Sequence, residues 1–182
     1  MNSTTMQYEA AQRPLTAVID AVPAQSWANP SPCDGWSAHD VLRHLIQTQR
    51  DFLTGHDIDL GAVPDIDTDP VTAWREHAKR VMAAISQDVV PATAFDGHFG
   101  PTTVGDTLEQ LYVWDMLVHR WDIARSHGAQ TVLSDAEIDQ IERGADSFGG
   151  ALYMDGVCRP GVTAPVDADR TVRLLARLGR RA

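Results

Sequence analysis

The stretch WDMLVHRWDIARSHG, residues 114–128, constrains this chain more than any other. A helix opening at Thr103, where T-x-x-D forms a capping box closed by Asp106, and stopping at Gly128 turns by about 100° per residue. It gathers Val104, Leu108, Leu111, Asp115, His119 and Asp122 into one narrow stripe. Trp114, Leu117, Val118 and Trp121 cover the opposite side, and a helix apolar nearly all round belongs at the centre of a bundle. Asp115 therefore points where leucines point, and a carboxylate buried there without a cation is strongly unfavourable. Two arrangements supply one. The first is a structural ion pair with His119 or an arginine one turn away; the second is a metal ion held by Asp115 and His119 with a third ligand from another helix.

The rest of the chain reads as support for that helix. Its 182 residues, 43% hydrophobic with five Trp, suffice for one domain spanning 1–182 around a single core. No apolar run approaches the roughly 18 residues of a membrane span. The N-terminal MNSTTMQYEAAQRP lacks the basic-then-apolar pattern of a secretory signal, so a cytoplasmic protein with no membrane partner is expected. A net charge of −10 argues against nucleic acid as a partner. The basic residues that crowd together late in the chain, Arg170, Arg173, Arg177, Arg180 and Arg181, read as a solvated helix face. Cys33 and Cys158 are too far apart for a CxxC motif and read as two small thiols in a reducing compartment.

In chain order, Ala11, Leu15, Val18 and Ile19 predict a first helix between Thr5 and Val22, kinked by Pro14 or starting near Arg13. SWANPSPCDGW is a loop, held in place by the need to cover Trp27 and Trp36. Ser37 and Asp40 open a second helix with the stripe Val41, Leu42, Leu45, Ile46, Phe52 and Leu53. His44 lies at the border of that stripe, either as a partly exposed surface residue or as a ligand reaching sideways to the bundle centre. The acid-rich GHDIDLGAVPDIDTDP does not match a calcium loop and reads as solvated. Asp69 and Pro70 start a third helix carrying Val71, Trp74, Ala78, Val81, Met82 and Ile85, with His77 beside the stripe and incidental.

TAFDGHFGPTTV is a loop or a short hairpin across one end of the bundle, from which His98 could approach a site. Ser134 and Glu137 cap a further helix with Ile138, Ile141, Ala145 and Phe148, and the last segment offers a short helix with Val172, Leu175 and Leu178 on one face. These elements define an all-α four-helix bundle with short additional helices and a small hairpin.

Three blocks in this order, PSPCDGWSAHDVLRHL, DMLVHRWDIARSHG and LLARLGR, resemble the DinB-like superfamily, and within it the metal-binding domain of mycothiol-dependent maleylpyruvate isomerase. The resemblance implies an up-down-down-up bundle whose three metal ligands would be His44, Asp115 and His119. The family pattern has Glu where this chain has Asp115, one methylene shorter. The isomerase also has a further C-terminal domain that contributes to activity, and this chain ends at Ala182 without room for it, so maleylpyruvate isomerisation is not implied.

Two His and one carboxylate with open positions suit Zn2+ and would also accept Ni2+, Fe2+ or Mn2+. The expected chemistry is activation of a low-molecular-weight thiol, with mycothiol as the cosubstrate the family implies, for attack on an electrophile. Asp122, one turn beyond His119, is either an acceptor behind the ligands that fixes an imidazole tautomer or the partner of Arg125 or Arg43. Arg120 and Arg125 read as solvated or as contacts for an anionic group, and no residue stands out as a general base, leaving catalytic and substrate-binding residues unassigned. Two other classes remain open: a non-catalytic metal- or small-molecule-binding bundle, and a metal-dependent hydrolase. A homodimer is also expected from the apolar helices and the five Trp.

Overall fold

Pro14 does not end the first helix. A computed structural model describes residues 1–98, 100–154 and 157–181, and in it α1 (Ser3–Asp20) continues past the proline. The helix therefore begins well before Arg13, capped by Asn2, whose side chain accepts from the Thr5 N–H at 2.8 Å. Pro14 costs the helix one internal hydrogen bond, and burial of Tyr8, Ala11, Leu15 and Ile19 along one face offsets it.

The second and third helices start where local chemistry places them. In α2 (Ala38–Gly55) Ser37 and Asp40 form a reciprocal capping box, and in α3 (Pro70–Ile85) the Asp69 side chain accepts from the Thr72 N–H. Between them, residues 56–69 form a connection that is exposed over its acidic residues but tucks Leu60 and Ile66 into the core, pinned by Arg50 and Arg80, which donate to backbone carbonyls at 60–62. The expected hairpin exists as β1 (Ala94–Gly97) and β2 (Gly100–Thr103), antiparallel with Ala94 opposite Thr103; Phe99 lies outside the described residues.

The central helix is built in three pieces: α4 (Val104–Thr107), a π-helical segment over Leu108–Val113, and α5 (Trp114–Ser126). An unbroken α-helix was expected here. A π turn admits an extra residue before the next hydrogen bond and so rotates everything beyond it. Val104 and Leu108 are accordingly buried, whereas Leu111 is only partly so.

Long-range contacts fix the helix directions. Asn2 at the start of α1 bonds the Ile85 carbonyl at the end of α3, while Thr16 near the end of α1 meets Trp74 near the start of α3, so those two are antiparallel. Thr4 bonds Glu109, setting α1 parallel to the central helix. Asn29, before α2, bonds the Ser126 carbonyl at the end of α5, setting those two antiparallel. The order is up, down, down, up: the all-α, DinB-like bundle expected from the sequence.

Two further helices pack outside it, α6 (Asp135–Phe148) and α7 (Arg170–Arg177). On α7 and just after it Leu174, Leu175, Ala176 and Leu178 are buried, while Val172 of the expected face is partly exposed. His77 is not incidental. It is fully buried in a polar chain in which Tyr8 Oη donates to Gln49 Oε1 at 2.7 Å and His77 Nε2 lies 3.0 Å from the same oxygen. Among the described residues no helix is long and apolar enough to cross a membrane.

Candidate metal centre

Two helices bring the site together. His44 lies two turns into α2, where the capping box has already set the helix phase, and Asp115 and His119 lie one turn apart on α5. His44 Nε2 is 2.9 Å from Asp115 Oδ2, and His119 Nε2 is 3.2 Å from Asp115 Oδ1. Among the described residues these three side chains form the one group of metal-ligating type, with one ligating atom from each lying within 4.8 Å of the others. His98, in the hairpin turn, is exposed and outside that group.

Behind the group, Asp122 and Arg180 continue the network inward. His119 Nδ1 is 2.8 Å from Asp122 Oδ2, and Arg180 donates to the same carboxylate through Nη2 at 2.9 Å and through Nε at 3.3 Å. Asp122 is completely buried and Arg180 nearly so. Asp122 thus lies against the His119 ring, and its cation is Arg180 rather than Arg125 or Arg43. The Arg180 contact also corrects the reading of the late arginines as a solvated face. Arg170, Arg173 and Arg181 are exposed and Arg177 partly so, but Arg180 follows Leu178 and Gly179 into the interior, where Gly179 takes a φ of 81° that turns the chain inward. Arg120 is likewise buried, donating to Glu137 and to the Val132 carbonyl, and Arg125 lies over the Trp121 ring at 5.7 Å.

Charge in this cluster is tightly coupled. Burial disfavours the ionised Asp115 carboxyl, but His119 and His44 outweigh it and hold the group well below the usual carboxylate range. Burial likewise pushes the His119 ring down, and Asp115 and Asp122 on its two sides reverse this, lifting it to about 9. A neutral imidazole has one N–H and so satisfies one of two flanking carboxylates, leaving the other nitrogen's lone pair facing an acidic oxygen. The arrangement calls for a cation on the Nε2 side, either a second ring proton or a metal ion. Two imidazole nitrogens and a carboxylate fit a divalent ion of the zinc, nickel, iron or manganese type, and the Asp122 contact keeps the His119 proton on Nδ1 with Nε2 free to ligate.

The loop before α2 completes the surroundings. Trp36 packs against both rings, its centroid 4.9 Å from His44 and 6.1 Å from His119. It also lines a shallow depression of about 770 Å³ bounded by the proline-rich loop and by Arg159, Pro160 and Arg181. The two cysteines sit near this network as free thiols: Arg180 Nη1 is 3.9 Å from Cys158 Sγ, and burial pushes the Cys33 thiol up to about 11 despite the nearby Arg180. Burial raises the Cys158 thiol as well, so both are protonated at neutral pH.

Sequence reasoning missed Arg180 and Trp36 as neighbours of the site. Trp36 had a signal, since an indole in a loop requires a covering surface. For Arg180 the signal was its place directly after a Leu-Gly helix stop.

A helical bundle that gathers two imidazoles and a carboxylate from facing helices defines a class, the bundles whose sites are built in their core from side chains on neighbouring helices. The family model for the mycothiol maleylpyruvate isomerase N-terminal domain matches residues 8–124, more than half of the chain, and the chain belongs to that family. The matched segment contains His44, Asp115 and His119, whereas Arg180 lies beyond it. Two uncharacterized proteins from two strains of Mycobacterium tuberculosis are each 25% identical to the chain over 144 residues, covering 76% of it and 74% of their own length. No solved structure matches it.

Proposed function

We propose that the protein is a divalent-metal-binding transferase that activates a low-molecular-weight thiol, of the mycothiol type, for attack on an electrophile. The observation that carries this reading is the convergence of His44 Nε2, Asp115 and His119 Nε2 on one point, backed by Asp122 and Arg180. His44, Asp115 and His119 would hold the ion, zinc fitting best. When bound, the ion supplies a Lewis acid that lowers the pKa of a thiol and delivers a thiolate at neutral pH.

The chain's own residues do the rest. Asp122 holds the His119 proton on Nδ1, Arg180 keeps Asp122 ionised, and Trp36 shields one side of both rings from water. The accessible edge belongs to His44 and Asp115, whose side chains are 25% and 21% exposed, against 5% for His119. Family membership supports the thiol, and the two free cysteines, Cys33 and Cys158, accord with a reducing cytoplasmic setting.

The test is metal content by mass spectrometry on untagged protein, beside folded His44→Ala and His119→Ala variants, followed by consumption of an α,β-unsaturated ketone with and without added thiol. About one ion per chain, lost in both variants, together with thiol-dependent consumption, is expected. A metal-free protein after reconstitution overturns the reading and leaves a binding bundle with a buried ion pair. Turnover of an ester without thiol would point to a hydrolase instead.

A further inference from the structure

On α2 and at its C-terminal cap the residues His44, Thr48, Phe52 and His56 follow one another at four-residue spacing, and each is only partly buried. They form a single stripe along the helix that starts at a proposed metal ligand. Facing it is Tyr112, one turn before Asp115 on the central helix and also partly buried, while Phe95 of β1 closes the far end. Phe52 stacks on Tyr112 with ring centroids 4.9 Å apart and planes 27° apart, and His56 lies 4.9 Å from Phe52 and 4.2 Å from Phe95. Aromatic rings left half open beside a site whose open edge is on His44 and Asp115 offer apolar faces to a planar guest.

Two observations narrow the guest further. The Tyr112 hydroxyl has no hydrogen-bond partner among the described residues, although burial, with Asp115 and Asp51 nearby, pushes the phenol up to about 12 and keeps it protonated. It is a donor waiting for an acceptor. Asp51 beside the strip stands against a carboxylate on the guest, and the strip itself carries no Lys or Arg. Tyr112 also belongs to the π-helical segment, and such widened turns are frequent at functional sites.

We propose that the strip of Phe52, His56, Phe95 and Tyr112 seats the body of the electrophile, an uncharged, planar, apolar molecule whose carbonyl oxygen accepts a hydrogen bond from Tyr112. The electrophile's role rests on the thiol-transfer reading above; the binding site itself is defined by the rings and the free hydroxyl.

The experiment measures binding of three small probes, acetophenone, ethylbenzene and benzoate, by saturation-transfer NMR, with chemical-shift mapping on the wild-type protein and metal content read on the same samples. Acetophenone is expected to bind at least tenfold more tightly than benzoate and to shift the signals of Phe52 and Tyr112. Tyr112→Phe, which removes one oxygen and keeps the ring, should weaken acetophenone about fivefold and leave ethylbenzene unchanged. Phe52→Leu should weaken both. Binding that prefers benzoate, that ignores both substitutions, or that maps to the depression beside Trp36 and Arg181 overturns the proposal. Should Phe52→Leu fail to fold, the shift mapping and Tyr112→Phe still decide. A metal-free protein that shows the expected probe pattern overturns the thiol reading and leaves the strip standing; a metal-loaded one without the pattern does the reverse.

Discussion

Asp122 carries two loads with one carboxylate. It is the counterion of a buried guanidinium and the acceptor for a proposed ligand's ring N–H. Arg180→Leu would leave that carboxylate buried with one partner fewer, which costs about 3–5 kcal/mol. Urea unfolding should show a loss of that size, and Asp122→Asn added to Arg180→Leu should recover part of it by removing the stranded charge. On its own, Asp122→Asn keeps the shape but weakens the hold on the imidazole tautomer. The affinity of the proposed site for a divalent ion should then fall about 10–100-fold, read by competition with a chromophoric chelator. At this scale the sequence was half informative. The spacing of His119 and Asp122 on one helix made their contact legible, because it is local. Arg180 lies 58 residues from Asp122, and the Leu-Gly stop before it marks a turn of the chain without telling which distant carboxylate the arginine turns toward.

At the scale of elements, the best-read features are the ones set by near neighbours. The boxes at Ser37 and Ser134 and the Asp69 cap all stand where the sequence puts them, since a cap needs only residues three positions apart. Ser37→Ala should lower stability by about 1 kcal/mol in denaturant titration, and it does so at the helix that carries His44. The π segment was illegible for the opposite reason. A helix apolar on every side gives no phase from which an extra residue could be detected, and the shift shows only in which leucine is left half exposed. Packing between elements is equally hidden: a Cβ at Gly144 on α6 would stand 2.2 Å from Trp114 Cδ1 on α5. Gly144→Ala gains up to about 1 kcal/mol of helix propensity but overpacks that contact at a cost of about 1–3 kcal/mol. We expect net destabilisation, with a change in the near-ultraviolet circular dichroism of the indole.

For the whole molecule, the two parallel neighbours α2 and α3 share a buried polar seam of Gln49 and His77 that α1 closes with Tyr8. Burial, aided by Arg50 and Arg80, pushes the His77 ring down to about 3. The unfolded chain protonates this ring near its ordinary pKa, about 6.5. The stability it contributes is therefore complete above that value and is lost progressively as pH falls toward about 3, at up to about 1.4 kcal/mol per pH unit. Stability measured between pH 7 and 4 should fall more steeply in the wild type than in His77→Gln, and parallel curves would count against the assignment. The bundle's class and helix order were readable because periodicity and resemblance both report on long segments. The seam was not, since His77 looks like a border residue until α1 is laid across it.

His44 and Asp115 are 71 residues apart in the chain, and Asp122 and Arg180 are 58 apart. Each helix can form from its own neighbours within microseconds, yet the group they frame exists only after two long loops have closed, and closing them is the slow part of the search. Helical circular dichroism will therefore recover ahead of metal capture during refolding. An ion taken up at the proposed site would thus serve as a late timer, reporting when the last distant segments have met.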